Sequence, residues 1–380
     1  MIMDFGFSEE QRLIRASALR FVEDHYDYTS RRKRIAAGPM VDETIWMQFV
    51  EMGWLAIGLS EKNGGIGGST GDILALLEPL GAALVVEPLI ANAVLCADIL
   101  ASTGRTAELT SLLAGEKRFA LALLEAPVQP IGNSVKTTAA ISDGNYRLNG
   151  TKSAVHGASG GEQLLVVAEP VGGVPALFLI ESSDVQLTVS RLADGWASAD
   201  IVMNNCPARL IADTQITAII EHAFNRSIVA LGAMALGSMR AVIEATVEHL
   251  KTRQQFGGPL SQFQVLRHRL ADMKMTLELT RSLVFAAIAA EASGADLSTA
   301  ASALKMQLGA PVRRVGELGI QLHGGLGVTS EFQVGQHFLR MCLTDKLFGD
   351  SLFHAERFIS STVVNKPDGE VYPFKKKSNH

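Results

Sequence analysis

Apolar residues over the first 118 positions recur at helical intervals. Ser8 and Gln11 have the spacing of a capping box, and Ile14, Ala18, Phe21 and Val22 follow on one helical face. Gly64, Gly65, Gly67 and Gly68 form a loop inside this block; no Lys-Ser/Thr follows, so it is not a phosphate loop. Over 119–213 the period changes. Leu164 to Ala168 and Ala176 to Ile180 are short apolar runs, Val185, Leu187 and Val189 alternate with polar residues, and Asn149-Gly150 signals a turn. This block predicts a small antiparallel β domain. Long helical patterns return over 214–362, clearest near 214–252 and 262–293, and helices of that length pack as a bundle. Residues 363–380 read as a solvated tail. The expected fold is therefore mainly α with a central β domain, without internal repeats.

A chain of 380 residues exceeds one ordinary core, which fits two or three domains. Hydrophobic residues make up 47% and charged ones 19%, a globular composition rather than a disordered one. The net charge of −5 argues against nucleic acid as a partner. Cys96, Cys206 and Cys342 lie far apart without metal-ligand spacing, which fits a reducing compartment. The first residues lack a signal-peptide pattern, and apolar runs are broken before the roughly 20 residues that span a bilayer. A cytoplasmic location, with no membrane contact, is expected. His323, His337 and His354 do not share the i, i+4 spacing of a helical metal site, so no metal is expected. Met273 and Met275 are expected in the core.

Two segments carry candidate chemistry. Arg253-Gln254-Gln255-Phe256-Gly257, followed by Gln264, falls between the two long helices; Gln321-Leu322-His323-Gly324-Gly325-Leu326-Gly327 lies downstream. With Phe7-Ser8-Glu9-Glu10-Gln11 and Leu148-Asn149-Gly150-Thr151-Lys152, this pair resembles the FAD-dependent acyl-CoA dehydrogenase family over about residues 4–362. The resemblance implies a helical amino-terminal domain, a β-barrel-like middle domain and a carboxy-terminal four-helix bundle. It also implies that Arg253, Phe256, Gln264, Gln321, Gly324 and Gly325 bind the adenosine and pyrophosphate half of an FAD held mainly by a neighbouring subunit. An Arg supplies bidentate charge to a pyrophosphate, and glycines permit close backbone approach. The alternative is that Arg253 and Gln264 cap helix ends and the glycines make an ordinary turn.

The family's chemistry removes a proton α to an acyl-CoA carbonyl while a hydride leaves the β carbon for the flavin. By resemblance the base stands seven residues before an Arg; counting back from Arg357 reaches Asp350, with Glu356 a nearby competitor, and the alternative for Asp350 is a helix N-cap or loop acid. Arg226 corresponds to an Arg that meets the CoA nucleotide, or is an exposed helix charge. Electron-transfer flavoprotein is the expected electron acceptor. Family relatives also include oxidases, and a type that uses Asp as its base.

Departures from the family pattern cluster in the β domain. Leu124 replaces a hydroxyl that would bond the flavin ring, and Gln129-Pro130-Ile131 replaces a Gly-Ser-Asp turn. Ala154-Val155-His156 stands for Trp-Ile-Thr, and Leu352 for a Thr. Residues serving a neighbour's FAD survive, while those serving the chain's own flavin ring are replaced. This pattern implies a subunit of a heteromeric dehydrogenase, such as act on steroid or dicarboxylic acyl-CoA thioesters. The partner is either a second copy in a homotetramer or a paralogous subunit in a heterotetramer.

Overall fold

The computed structural model describes residues 6–125, 135–142, 144–170 and 173–363. The amino-terminal helices are α1 (Glu9–His25), α2 (Tyr28–Ala37), α3 (Glu43–Glu51), α4 (Thr70–Ala82), α5 (Ala97–Ser102) and α6 (Thr106–Leu113). The capping box forms: Gln11 N donates to Ser8 Oγ at 3.2 Å and Ser8 N to Gln11 Oε1 at 3.1 Å. Seven strands follow: β1 (Phe119–Ala122), β2 (Thr138–Ser142), β3 (Asn145–His156), β4 (Gln163–Pro170), β5 (Ala176–Glu181), β6 (Gln186–Arg191) and β7 (Ala197–Ala212). The chain ends in α7 (Ile216–Thr252), α8 (Gln264–Ala292), α9 (Leu297–Gln307), α10 (Ala310–His323), α11 (Gln333–Lys346) and α12 (Ser351–Val363). Helices α7 to α10 pack on one another as a four-helix core, with α11 against α7 and α10, and α12 against α9.

Strands β4, β2, β3, β7 and β5 close a ring, because β5 pairs back with β4; β1 and β6 attach to its edges. The antiparallel expectation needs correcting here, since β4 runs parallel to both β1 and β2. The chain reaches β4 from β3 through a loop rather than a tight turn, so it re-enters beside β2 in the same direction. The Asn149-Gly150 turn also needs correcting. Those residues lie inside β3, at a register shift against β7, and Gly150 has φ +147. A Cβ there would stand 2.8 Å from Thr137 Cα, so glycine permits a close strand approach rather than a reversal. The hairpin closes between Ser142 and Asn145 instead.

The continuous apolar runs of β4 and β5 follow from burial on both faces. Leu164, Val166 and Phe178 fill the barrel, while Leu165, Val167 and Leu179 pack into the helical core. Helix α7 is the centre of that core. Among the described residues it alone is long and apolar enough to cross a membrane, so the expectation that every apolar run is too broken needs correcting; 78% of that apolar window is buried inside the protein. Met273 is buried, but Met275 is 58% exposed, contrary to expectation, because residues two apart point to different faces of α8.

Helices α4 and α7 meet backbone to backbone. A Cβ on Gly237 would lie 1.9 Å from Glu78 O, and one on Gly81 would lie 2.2 Å from Met234 O. Gly237→Ala should therefore force the helices apart and cost about 1–3 kcal/mol. Urea denaturation should show the lower midpoint with the slope unchanged.

Candidate cofactor and substrate site

The two motif segments meet at one edge of the helical core. Helix α7 ends at Arg253, and a short hairpin pairs Gln255 with Gly258. Its turn residues Phe256 and Gly257 have φ +54 and +88, both in the left-handed region that such a two-residue turn requires. For a bulky aromatic this conformation is unfavourable, and Phe256 is also 83% exposed. Gln264 opens α8, so Arg253 and Gln264 do stand at helix ends, yet neither side chain makes a hydrogen bond or ion pair among the described residues. Helix α10 ends at His323, whose ring stacks on His249 of α7 with centroids 4.6 Å apart. Burial holds the His249 imidazole below its usual range, and the neighbouring His323 and Arg253 add to that. His249 thus links the two segments. Nothing in the sequence singled it out, because a lone helical His carries no local motif.

Gly324 has φ +60, and a Cβ at Gly324 or Gly325 would meet nothing within 4 Å. By contrast a Cβ at Gly327 would stand 2.8 Å from Ile320 O, so that glycine serves packing. The edge therefore combines an exposed, unengaged guanidinium, two exposed amides and open backbone. These residues suit an anionic dinucleotide approaching from outside the chain. Along α8 from Gln264, Val265, Met275 and Leu279 are exposed at 59%, 58% and 60%, on one face of the helix.

A second site lies where the barrel meets the helices. A cavity of about 290 Å³ is walled by Leu121 of β1 and Leu123 and Leu124 just after it, by Phe224 of α7 and by Leu347 and Phe348 before α12. That volume sits at the low end of ordinary ligand pockets, about 300–1,000 Å³. Among the described residues no carboxylate lines it. Ala154, with φ +53 at a bulge in β3, and Leu124 both face it. Gln129, Pro130 and Ile131 lie outside the described residues.

Asp350 is exposed and accepts the Phe353 N–H at 3.0 Å, as the cap of α12. Its neighbours Gly349 and Phe353 line the cavity; Asp350 itself does not. Glu356 is exposed further along α12, and Leu352 is 69% exposed. Arg357 faces α7 and donates to Asn225 Oδ1 at 2.8 Å. Arg226 is 6% exposed, which excludes the exposed-charge alternative. Its guanidinium pairs with Asp98, stands 2.8 Å from Glu291 and donates to Gly58 O at 2.9 Å. That arrangement ties α5, α7 and α8 together in the interior. The three histidines fall in separate places: His323 against Gly319 O, His354 between Phe348 O and Ser302 Oγ, and His337 fully enclosed on α11.

At the cavity's edge Glu125 accepts Lys136 N at 2.8 Å, Thr137 N at 3.0 Å and Lys152 Nζ at 2.8 Å. Burial raises its pKa, but these donors outweigh burial and bring the carboxyl down to about 2. A folded pKa below the unfolded one adds stability that is full above the unfolded value, near 4.5, and is lost as pH falls towards 2. Glu125→Gln should accordingly flatten the acid limb of the stability–pH curve, measured by urea midpoints from neutral pH downward.

The comparisons agree with this architecture. Residues 8–113 match the acyl-CoA dehydrogenase N-terminal domain and residues 217–356 the C-terminal domain. The acyl-CoA dehydrogenase IpdE2 of Mycobacterium tuberculosis is 29% identical over 337 residues, covering 87% of this chain and 91% of that protein. A solved variant of the Tcur3481–Tcur3483 steroid ACAD superposes with a TM-score of 0.84 at 27% identity, covering 94% of this chain and 99% of that one. The FAD complex of PigA gives a TM-score of 0.86 at 25% identity, covering 96% and 100%. With both family domains in place around a closed middle barrel, the chain belongs to the acyl-CoA dehydrogenase family.

Proposed function

We propose that this chain is the non-catalytic partner subunit of a heteromeric acyl-CoA dehydrogenase, completing an FAD site whose ring and base lie on a paralogous chain. One observation carries the reading. The family's FAD-binding positions, Arg253, Gln264, Gln321, Gly324 and Gly325, lie exposed and unengaged at one edge, while the chain's own cavity offers no carboxylate among the described residues. The exposed face of α8 and Phe256 give the paralogue an apolar surface to cover. When bound, FAD supplies the hydride acceptor for α,β-dehydrogenation of an acyl-CoA. This chain's residues neutralise its pyrophosphate and seat its adenosine end. Electron-transfer flavoprotein then reoxidises the complex in the cytoplasm. The two-component name of the Tcur3481–Tcur3483 relative agrees with a heteromer. Arg226 is assigned to holding the helices rather than to the CoA nucleotide.

The rival is an active subunit, as dehydrogenase or oxidase, using Asp350. Its support is the contact of Gly349 and Phe353 with the cavity. Asp350→Asn keeps a capping side chain. In the complex it should leave acyl-CoA turnover within about twofold, whereas removing a base costs about 10²- to 10⁴-fold. A loss of that size would reject the partner reading.

A further inference from the structure

Helix α2 carries four cations in a row, Arg31 to Arg34, and no acid. Arginines on other helices have acid partners close by: Arg281 pairs with Glu278 and Arg313 with Glu317. Among the described residues none of the four on α2 forms an ion pair. Asp27, just before the helix, is engaged with its first amides, accepting Thr29 N at 2.8 Å and Ser30 N at 3.1 Å. Arg34 lies over the Tyr26 ring, 4.2 Å from its centroid. Arg31, Arg32 and Lys33 are left without a counter-charge.

Those three line an open groove of about 520 Å³ between α2 and the chain leading into α11. Thr29, Arg32, Lys33 and Ala36 recur at i, i+3, i+4 and i+7, along one helical face. Ser330 and Gln336 form the opposite wall, and the Tyr28 hydroxyl ties the two walls by donating to Ser330 O at 3.1 Å. Among the described residues no carboxylate lines the groove. Arg32 reaches Ser330 Oγ only at 3.5 Å, and the Lys33 amine and Thr29 hydroxyl make no hydrogen bond among the described residues.

Arg31 distinguishes this groove from a patch of surface charge, because it is 1% exposed. Its Nε donates to Leu84 O at 2.8 Å and its Nη2 to Asp194 O, both backbone carbonyls. The Asp194 carboxylate is taken by Arg340. Arg31 Nη1 makes no hydrogen bond among the described residues and is not sealed, so it opens on the groove that Arg31 lines. Buried charges are ordinarily matched by an opposite one. Here the groove is the side from which an anion can supply it.

The number of cations decides the class of anion. A phosphoryl group carries about −1.5 to −2 charges and three acceptor oxygens, whereas a carboxylate carries one charge. Two guanidinium groups and an amine, with a free hydroxyl beside them, match the former. The volume lies within the range of small-molecule sites, about 300–1,000 Å³, and so admits more than the phosphoryl alone. Ile35 and Ala36 give apolar surface for a compact body.

We propose that the groove between α2 and the start of α11 binds the phosphoryl group of a small phosphate monoester, held by Arg31, Arg32 and Lys33. The probes are phenyl phosphate, benzoate and phenol, each titrated by calorimetry into the full chain at constant ionic strength. The parent chain carries Arg253→Ala, which silences the other edge suited to phosphate. Phenyl phosphate should bind, benzoate should bind at least about 10-fold more weakly, and phenol should not bind. Adding Arg32→Gln and Lys33→Gln should weaken phenyl phosphate about 10- to 100-fold. Neither side chain is in an ion pair, so the urea midpoint without ligand should not fall. Phenyl phosphate should raise the parent's midpoint and leave that of the Gln variant nearly unmoved. It should also protect Lys33 of the parent from acetylation by acetic anhydride, read by peptide mass. No binding of phenyl phosphate, equal affinity in parent and Gln variant, unprotected Lys33, or benzoate binding as tightly as phenyl phosphate would each overturn the proposal.

Discussion

Replacing Asp194 by Ala should cost about 3–5 kcal/mol of stability, the usual result of removing one partner from a buried ion pair. Asp194 is 0% exposed and sits between two buried cations. Its carboxylate pairs with Arg340 and accepts Trp196 N at 3.0 Å, and its backbone carbonyl accepts from Arg31. Arg340 also donates to Val85 O at 3.1 Å and lies 3.8 Å over the Trp196 ring, while Arg31 donates to Leu84 O at 2.8 Å. Burial, then the charge of Arg340, brings the Arg31 guanidinium down to about 10. One carboxylate therefore balances two charges that join α2, α11 and the turn before β7. Without it Arg340 stays buried without its carboxylate, and Arg31 keeps only its bonds to the backbone carbonyls of Leu84 and residue 194. Urea denaturation at neutral pH measures the loss. Replacing Arg340 by Met in the same chain should recover part of it, because the uncompensated charge goes too.

The second large effect falls on cofactor retention. Arg253→Ala in the complex should weaken FAD binding by about 10- to 100-fold, since a hydrogen bond to a charged group contributes about 1.5–3 kcal/mol and 1.4 kcal/mol is tenfold. The Arg253 side chain makes no bond among the described residues, so the variant's own urea midpoint should not move. Arg226→Ala should behave in the opposite way. It leaves Asp98 and Glu291 without their shared cation in the interior, so stability should fall while FAD contacts at the edge stay intact. Comparing midpoint and flavin retention for the two variants separates a cofactor contact from a structural one.

Local chemistry was the legible part of the sequence. The Ser8–Gln11 capping box forms as spaced, and the apolar periodicity of 214–252 appears as α7. What the sequence hid depends on distant partners. Arg226 reads as a helix charge until α5 and α8 bring Asp98 and Glu291 to it. By its distance from Arg357, Asp350 reads as a candidate base or a helix N-cap, and that spacing along α12 does not decide which way the cap residue faces. The Asn149-Gly150 pair carries turn chemistry that the barrel uses as a bulge. His249 meets His323 only because α7 and α10 end side by side.

The partner-subunit account is tested most directly by counting flavin. The chain should be purified alone and in complex with its paralogue, and FAD measured per chain from the visible spectrum after release from denatured protein. The account predicts little FAD in the isolated chain and about one FAD per pair of chains in the complex. Stoichiometric, tightly held FAD in the isolated chain, with acyl-CoA turnover, would contradict it.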